Sequence, residues 1–261
     1  MCRWLAYKGA QVYLEKVIFD PQNSLASQSL SAQHSNWPTN GDGFGVGWYG
    51  GRAQPGLFRD VLPAWNDSNL RNVSAQIESR LFFAHVRAST GTSTSRTNCH
   101  PFRHKEWLFM HNGQIGGFER IRRDLMMRVE SALFRELQGT TDSELFFYLL
   151  LGNGAADDPI EAFRRTVSDV LEVMEEHQVS EPFRMSAALS DGDCVHAIRY
   201  ASDAQAPSLF YGAADTLVQA DGVLVASEPL GIDSGPWQEI PQSHWLRVDN
   251  AGIESAGFTP R

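Results

Sequence analysis

Gly41-Asp42-Gly43-Phe44-Gly45-Val46-Gly47-Trp48-Tyr49-Gly50 sets glycine against a larger residue at almost every second position. A period of two is the period of a strand. A strand whose alternate residues lack side chains has one bare face, which another backbone or a ligand can approach closely. The competing reading is a phosphate-binding loop, but no Lys-Ser/Thr pair follows and no helix opens after it. Outward from this strand, Leu5, Tyr7 and their neighbours begin another almost at the terminus, and residues 24–34 (SLASQSLSAQH) form a short polar helix or a loop. Residues 81–88 (LFFAHVRA) and 107–111 (WLFMH) predict two further strands.

From Gly117 the period lengthens, with Phe118, Ile121 and Leu125 on one helical face. Thr141-Asp142-Ser143-Glu144 has capping-box spacing, with Leu145, Phe146, Leu149 and Leu150 as the buried stripe behind it. Ile160, Phe163, Val167, Val170, Leu171 and Met174 mark a longer amphipathic helix after Pro159. The last third returns to short strands at 184–190, 193–200, 208–211, 222–226 and 243–249. Strands, then helices, then strands again, without βαβ alternation, predict an α+β layered domain and not a doubly wound parallel sheet. At this length one large domain or two small ones are both open.

With 42% hydrophobic and 20% charged residues in 261, the chain can bury a full core without disulfides. A net charge of -9 argues against non-specific nucleic-acid binding, which needs a basic face. No uninterrupted apolar run could span a bilayer. The start, MCRWLAYKG, lacks the apolar core of a signal peptide, so the Asn-X-Ser strings at Asn66 and Asn72 read as chance. Three widely spaced cysteines, Cys2, Cys99 and Cys194, form no disulfide framework and suit a reducing, cytoplasmic setting.

Cys2 becomes the N-terminal residue if Met1 is removed. It then carries a thiol and, in its own α-amine with a reference pKa of about 7.7–8.0, a base to deprotonate it. The alternative is an arbitrary second residue of a strand. Arg87, in His85-Val86-Arg87-Ala88-Ser89-Thr90, can aim its fork at a carboxylate, or can be an ordinary strand-end arginine. His111-Asn112-Gly113 reads either as a hairpin turn or as an oxyanion hole, with the Asn112 amide and the Gly113 N–H as donors. The absence of a second alternating strand after Gln114-Ile115-Gly116-Gly117 speaks against the hairpin. Asp142 would be favoured in the first turn of a helix by the dipole alone, and it could equally capture a substrate ammonium. His85, His100, His104, His111 and Cys99 invite a zinc site, but their spacing fits none of the usual ligand patterns. Trp37, Trp48 and Trp107 could line a pocket or fill a core.

The order of these motifs is more specific than any one of them. Cys2, Gly-Asp-Gly-Phe-Gly-Val-Gly-Trp, His-Val-Arg-Ala-Ser-Thr, His-Asn-Gly and Thr-Asp-Ser-Glu-Leu together resemble the class II glutamine amidotransferases of the N-terminal nucleophile hydrolase superfamily. Ala226-Ser227-Glu228-Pro229-Leu230 looks like the closing segment of their stand-alone, YafJ-like branch, so the resemblance implies one such domain over residues 1–261. The resemblance implies a four-layer αββα sandwich and a cofactor-free, metal-free amidohydrolase acting on glutamine or another γ-glutamyl small molecule. It makes Cys2 the nucleophile and its freed amine the base. It places Arg87 on the α-carboxylate of the glutamyl group, Asp142 on its α-ammonium, and Asn112 and Gly113 on the oxyanion. Thr90 and His111 join the substrate-binding set. One departure is Ala88, where synthases of the family often have tryptophan after the arginine. Another is that no acceptor domain fits within the chain. A separate acceptor subunit and plain hydrolysis are both open, as is self-association; nucleic acid and membrane are not expected partners.

Overall fold

The computed structural model describes residues 2–31, 39–89, 93–231 and 237–261. Its strands are β1 (Arg3–Tyr13), β2 (Phe44–Trp48), β3 (Gly56–Asp60), β4 (Glu78–Val86), β5 (Phe102–His104), β6 (Trp107–Gln114), β7 (Arg184–Ser190), β8 (Val195–Ala201), β9 (Phe210–Ala213), β10 (Gly222–Ala226), β11 (Gln238–Glu239), β12 (His244–Asp249) and β13 (Gly252–Gly257). They make two antiparallel sheets, ordered β11-β9-β10-β1-β4-β2-β3 and β13-β12-β8-β7-β6-β5.

The period-two alternation of the central strands explains the layering. In β1, Trp4 and Ala6 face the second sheet, while Leu5 and Tyr7 face helices. In β4, Leu81 and Phe83 point inward and Phe82, Ala84 and Val86 outward. In β6, Leu108 and Met110 face the first sheet, and Trp107 and Phe109 the helices. Strands covered on both faces read as unbroken apolar runs, which is why LFFA and WLFM show no alternation. The helices Glu15–Ile18, Leu25–Leu30 and Ser68–Ser74 cover the first sheet, and Phe118–Met127, Asp142–Gly152 and Pro159–Glu176 cover the second. Four layers result: helix, sheet, sheet, helix. No helix among the described residues is long and apolar enough to cross a membrane.

The bare face of β2 is filled by protein. A Cβ on Gly45 would stand 2.1 Å from the His100 carbonyl oxygen, and one on Gly47 2.9 Å from Leu108 and Pro101 side-chain carbons. Glycine alternation here lets the His100-Pro101 backbone lie flat on the strand. The helix Asp142–Gly152 departs from expectation in two ways. Its burial is nearly all round, extending to Phe147 and Tyr148, so it is a core helix without a polar stripe. The capping box is also half formed. Thr141 Oγ1 accepts from the Glu144 N–H at 3.2 Å, but the Glu144 carboxylate turns to the Gln138 and Gly139 N–H groups. Strands β3, β5, β11 and β13 had no sequence signal.

Gly45→Ala should destabilise the fold by about 1–3 kcal/mol, the range for overpacking a tight site. Chemical denaturation of the variant beside Gly50→Ala, where an added Cβ meets nothing within 4 Å, checks this.

Candidate active site

Residue 2 lies one step before β1, so whatever fixes the start of that strand fixes the thiol. Arg3 and Glu228 form an ion pair at 2.8 Å, with side chains 1% and 0% exposed. Arg3 Nη1 also donates to the Cys2 carbonyl at 3.0 Å, and Asn23 Nδ2 donates to the second Glu228 oxygen at 3.2 Å. Next along, the Trp4 N–H donates to Ser227 Oγ and the Ser227 N–H to the Trp4 carbonyl. Ala226-Ser227-Glu228-Pro229-Leu230 therefore clamps the first residues of the chain.

The Cys2 sulfur sits against Ala88. It accepts from the Ala88 N–H at 3.4 Å and donates to the Ala88 carbonyl at 3.5 Å. Burial pushes the thiol pKa up, while the Ala88 backbone bond and the charge of Arg87 pull it back. The segment 87–89 is itself held by Asp42. The Asp42 carboxylate accepts from the Ser89 N–H at 2.7 Å, its N–H donates to the Arg87 carbonyl, and its carbonyl accepts from Arg87 Nη1 at 3.4 Å. Arg87 is buried, with Nη2 donating to Ser89 Oγ and the Ser93 carbonyl.

Across a cleft of about 680 Å³, Asn112 and Gly113 face Cys2 and Ala88. They make no hairpin turn: β6 runs straight through them, paired to Ser186 and Met185 of β7. Gly113 has φ 141°, and a Cβ there would lie 1.9 Å from the Arg184 carbonyl oxygen, so only glycine fits. The first turn of the helix Asp142–Gly152 braces this strand on both sides of the pair. Asp142 Oδ2 accepts from the Ile115 N–H at 2.9 Å, and Ser143 Oγ meets His111 Nδ1 at 2.8 Å. His111 is buried against Phe146, away from the lining of the cleft.

The profile of the class II glutamine amidotransferases matches residues 16–207. The chain belongs to that family. It is 33% identical over 296 residues to a Saccharomyces cerevisiae protein named probable glutamine amidotransferase DUG3, covering 97% of this chain and 83% of that one. It is 27% identical over 256 residues to a γ-glutamyl-hercynylcysteine sulfoxide hydrolase of Mycobacterium tuberculosis, covering 97% and 95%. A glutamine aminotransferase class-II domain protein from Silicibacter pomeroyi superposes over the full length of both chains with a TM-score of 0.80 at 37% identity. The layered α+β fold matches this class II neighbour.

In this amidotransferase the structure brings Cys2, Asn112 and Gly113 to one cleft and sets Arg87 and Asp142 behind its two walls. Thr90 and Trp37 fall outside the described residues. Trp107 is core, and Trp48 packs at the edge of a core cluster. Sequence reasoning missed Ala88, which acts through its backbone and carries no residue signal, and Asp42, hidden within a glycine strand. It also missed the anchoring role of Glu228, whose segment it had noted only for the resemblance.

Among the described residues no group of three or more His, Cys, Asp or Glu side chains converges as a metal-binding cluster. His85 and His100 are buried and stack with ring centroids 4.3 Å apart. Burial, reinforced by neighbouring charge, lowers the His85 pKa to about 3 and that of His100 well below 6.5. Both rings are neutral at pH 7. An unfolded histidine takes up its proton near pH 6.5, so the stability their neutrality carries is whole above that pH. For His85 it is lost as pH falls from about 6.5 towards 3, at roughly 1.4 kcal/mol per pH unit, and His100 contributes with the same sign. Denaturation midpoints should therefore drop between pH 7 and pH 5, and His85→Gln should flatten that slope. An unchanged slope would mean that the histidine is not the group titrating.

Proposed function

We propose that this chain hydrolyses a γ-glutamyl amide, either glutamine or a γ-glutamyl conjugate, through a thioester on Cys2 that removal of Met1 makes the N-terminal residue. The observation carrying this reading is the Cys2 sulfur held between the N–H and C=O of Ala88, with Asn112 and Gly113 facing it across the same cleft. The α-amine accepts the thiol proton. Burial keeps that thiol protonated until a base takes the proton, and the Ala88 N–H then stabilises the thiolate. Attack on the γ-carbonyl places the oxyanion at the Asn112 amide and the Gly113 N–H, each such donor being worth about 3–4 kcal/mol of barrier. The amine leaves with the proton, and water releases glutamate from the thioester.

Arg87 and Asp142 orient the α-carboxylate and α-ammonium of the glutamyl group, and Thr90 is assigned to the same substrate-binding set. Asp142 already accepts N–H bonds from Ile115 and Ser143, and a carboxylate with about four lone-pair sites has room for an ammonium as well. His111 serves this site indirectly, by fixing β6 to Ser143. The whole chain acts as one domain; the three free cysteines suit a reducing cytoplasm. The amine is released to water or handed to a separate acceptor subunit.

Intact mass before and after 6-diazo-5-oxo-norleucine, a thiol-alkylating glutamine mimic, tests this. The starting mass should lack Met1, and a single adduct should map to Cys2. Retention of Met1 with no adduct would turn the reading to a binding protein that keeps the fold. Cys2→Ala should abolish turnover, and Asn112→Ala should lower kcat by roughly 10²–10³ with little change in KM.

A further inference from the structure

The cleft onto which Cys2 opens is far larger than glutamine hydrolysis requires. Ammonia is the size of water, which occupies about 30 Å³ in the liquid. The cleft holds about 680 Å³, in the range of sites for small organic ligands. Neither Arg87 nor Asp142, the groups proposed for the glutamyl charges, lines it. Its remaining wall is made instead by Glu181, Pro182, Arg184, Arg199 and the 205–208 segment, so one acidic side chain faces the cleft beside two arginines. The cleft therefore extends past the proposed clamp, and its remaining volume, beside the 205–208 segment, is open to the amine of the scissile amide.

That wall is preformed. Arg199, from β8, donates through Nε to the Pro207 carbonyl at 3.0 Å and through Nη1 to Glu239 and the Ile240 carbonyl, each at 2.6 Å. It ties the 205–208 segment to the chain before β12. Arg184, from β7, is held by Asp203, with Nε at 3.2 and 3.1 Å from the two carboxylate oxygens. Its Nη2 also donates to Gln205 Oε1 at 3.1 Å. That bond fixes the Gln205 amide, so the Gln205 Nε2 donors and Arg184 Nη1 are the members of this cluster with no protein acceptor among the described residues. Ser208 Oγ donates to the Ser227 carbonyl at 2.7 Å and keeps its lone pairs. A guanidinium N–H beside an amide N–H is a receptor for a carboxylate.

We propose that this cleft is a leaving-group subsite in which Arg184, with Gln205, reads a carboxylate on the departing amine. The substrate class is then a γ-glutamyl amide of an amino acid or short peptide. The proposal rests on the Cys2 reading above. It adds no chemical step: the γ-carbonyl carbon bonds to sulfur, its bond to the amine nitrogen breaks, and the proton first taken from the thiol leaves on that nitrogen. Arg184 binds the far end of the amine and is a specificity residue, while Asp203 and Arg199 are positioning residues.

Steady-state rates on γ-glutamyl-alanine, γ-glutamyl-alaninamide and glutamine test it. The first two differ only in the carboxylate. The wild-type chain should prefer the acid to the amide by at least tenfold in kcat/KM, and that comparison needs no variant. Arg184→Met should bring the ratio close to one, chiefly through KM for the acid, and Asp203→Asn should lower it part of the way. Equal rates on acid and amide, unmoved by Arg184→Met, would overturn the subsite while leaving Cys2 hydrolysis standing. Failure to hydrolyse all three, with no adduct on Cys2 from the glutamine mimic, would defeat the Cys2 reading and this proposal with it.

Discussion

The buried ion pair between Arg3 and Glu228 is the contact on which the site depends. Taking two charges out of water costs several kcal/mol per ion, and close geometry is needed to recover it. Apolar side chains of similar volume could fill the same space at no loss of stability. They could not reach the Cys2 carbonyl, which Arg3 Nη1 does at 3.0 Å, or draw Asn23 onto the second Glu228 oxygen. The proposed nucleophile at residue 2 has one flanking strand and, with Met1 removed as proposed, no residue before it. Holding it in place takes directional bonds, and the reciprocal Trp4–Ser227 backbone and hydroxyl contacts extend the same clamp by one residue.

The opposite side of the cleft is built by a different device. Asn112 and Gly113 belong to the second sheet, and the helix Asp142–Gly152 grips β6 just before and just after them, at His111 and Ile115. Because Thr141 caps that helix and its remaining surface is almost wholly buried, its first turn is a rigid bracket. Gly113 completes the arrangement. The Arg184 carbonyl leaves no room for a Cβ, so the backbone N–H of residue 113 is set by packing against β7. The proposed nucleophile and oxyanion donors thus come from different sheets, and the sheet-to-sheet core of Trp4, Phe83, Leu108 and Met110 fixes their separation.

What was legible in the sequence follows from how local each signal is. The glycine alternation at 43–47, the apolar runs of β4 and β6 and the cap at Thr141 are written in neighbouring residues, and each formed as the local pattern dictates. The edge strands β3, β5 and β13 were not legible, because they owe their state to the strands they pair with across the sheet. Glu144 fits a capping box by spacing, yet the Gln138 and Gly139 N–H groups offered it better partners from outside the helix. Of the site, the side chains were readable through the ordered motifs. The parts that work through backbone or over long separation were not: Ala88 cradling the sulfur, Glu228 reaching 225 positions back to Arg3, and the 205–208 wall pinned by Arg199.

The neutral histidines behind Arg87 have a consequence for catalysis. The charge of Arg87 helps lower the pKa of both His85 and His100, so the rings fill the space near the arginine without adding positive charge. A second buried cation there would hold a glutamyl carboxylate more tightly, but equally in the bound amide and in the tetrahedral intermediate, because the carboxylate takes no part in the bond changes. Binding both states more tightly lowers KM without raising kcat. In the proposed reaction, uncharged imidazoles keep the glutamyl clamp to an orienting strength. The strongest differential stabilisation is then left to Asn112 and Gly113, where charge would appear only as the sulfur attacks.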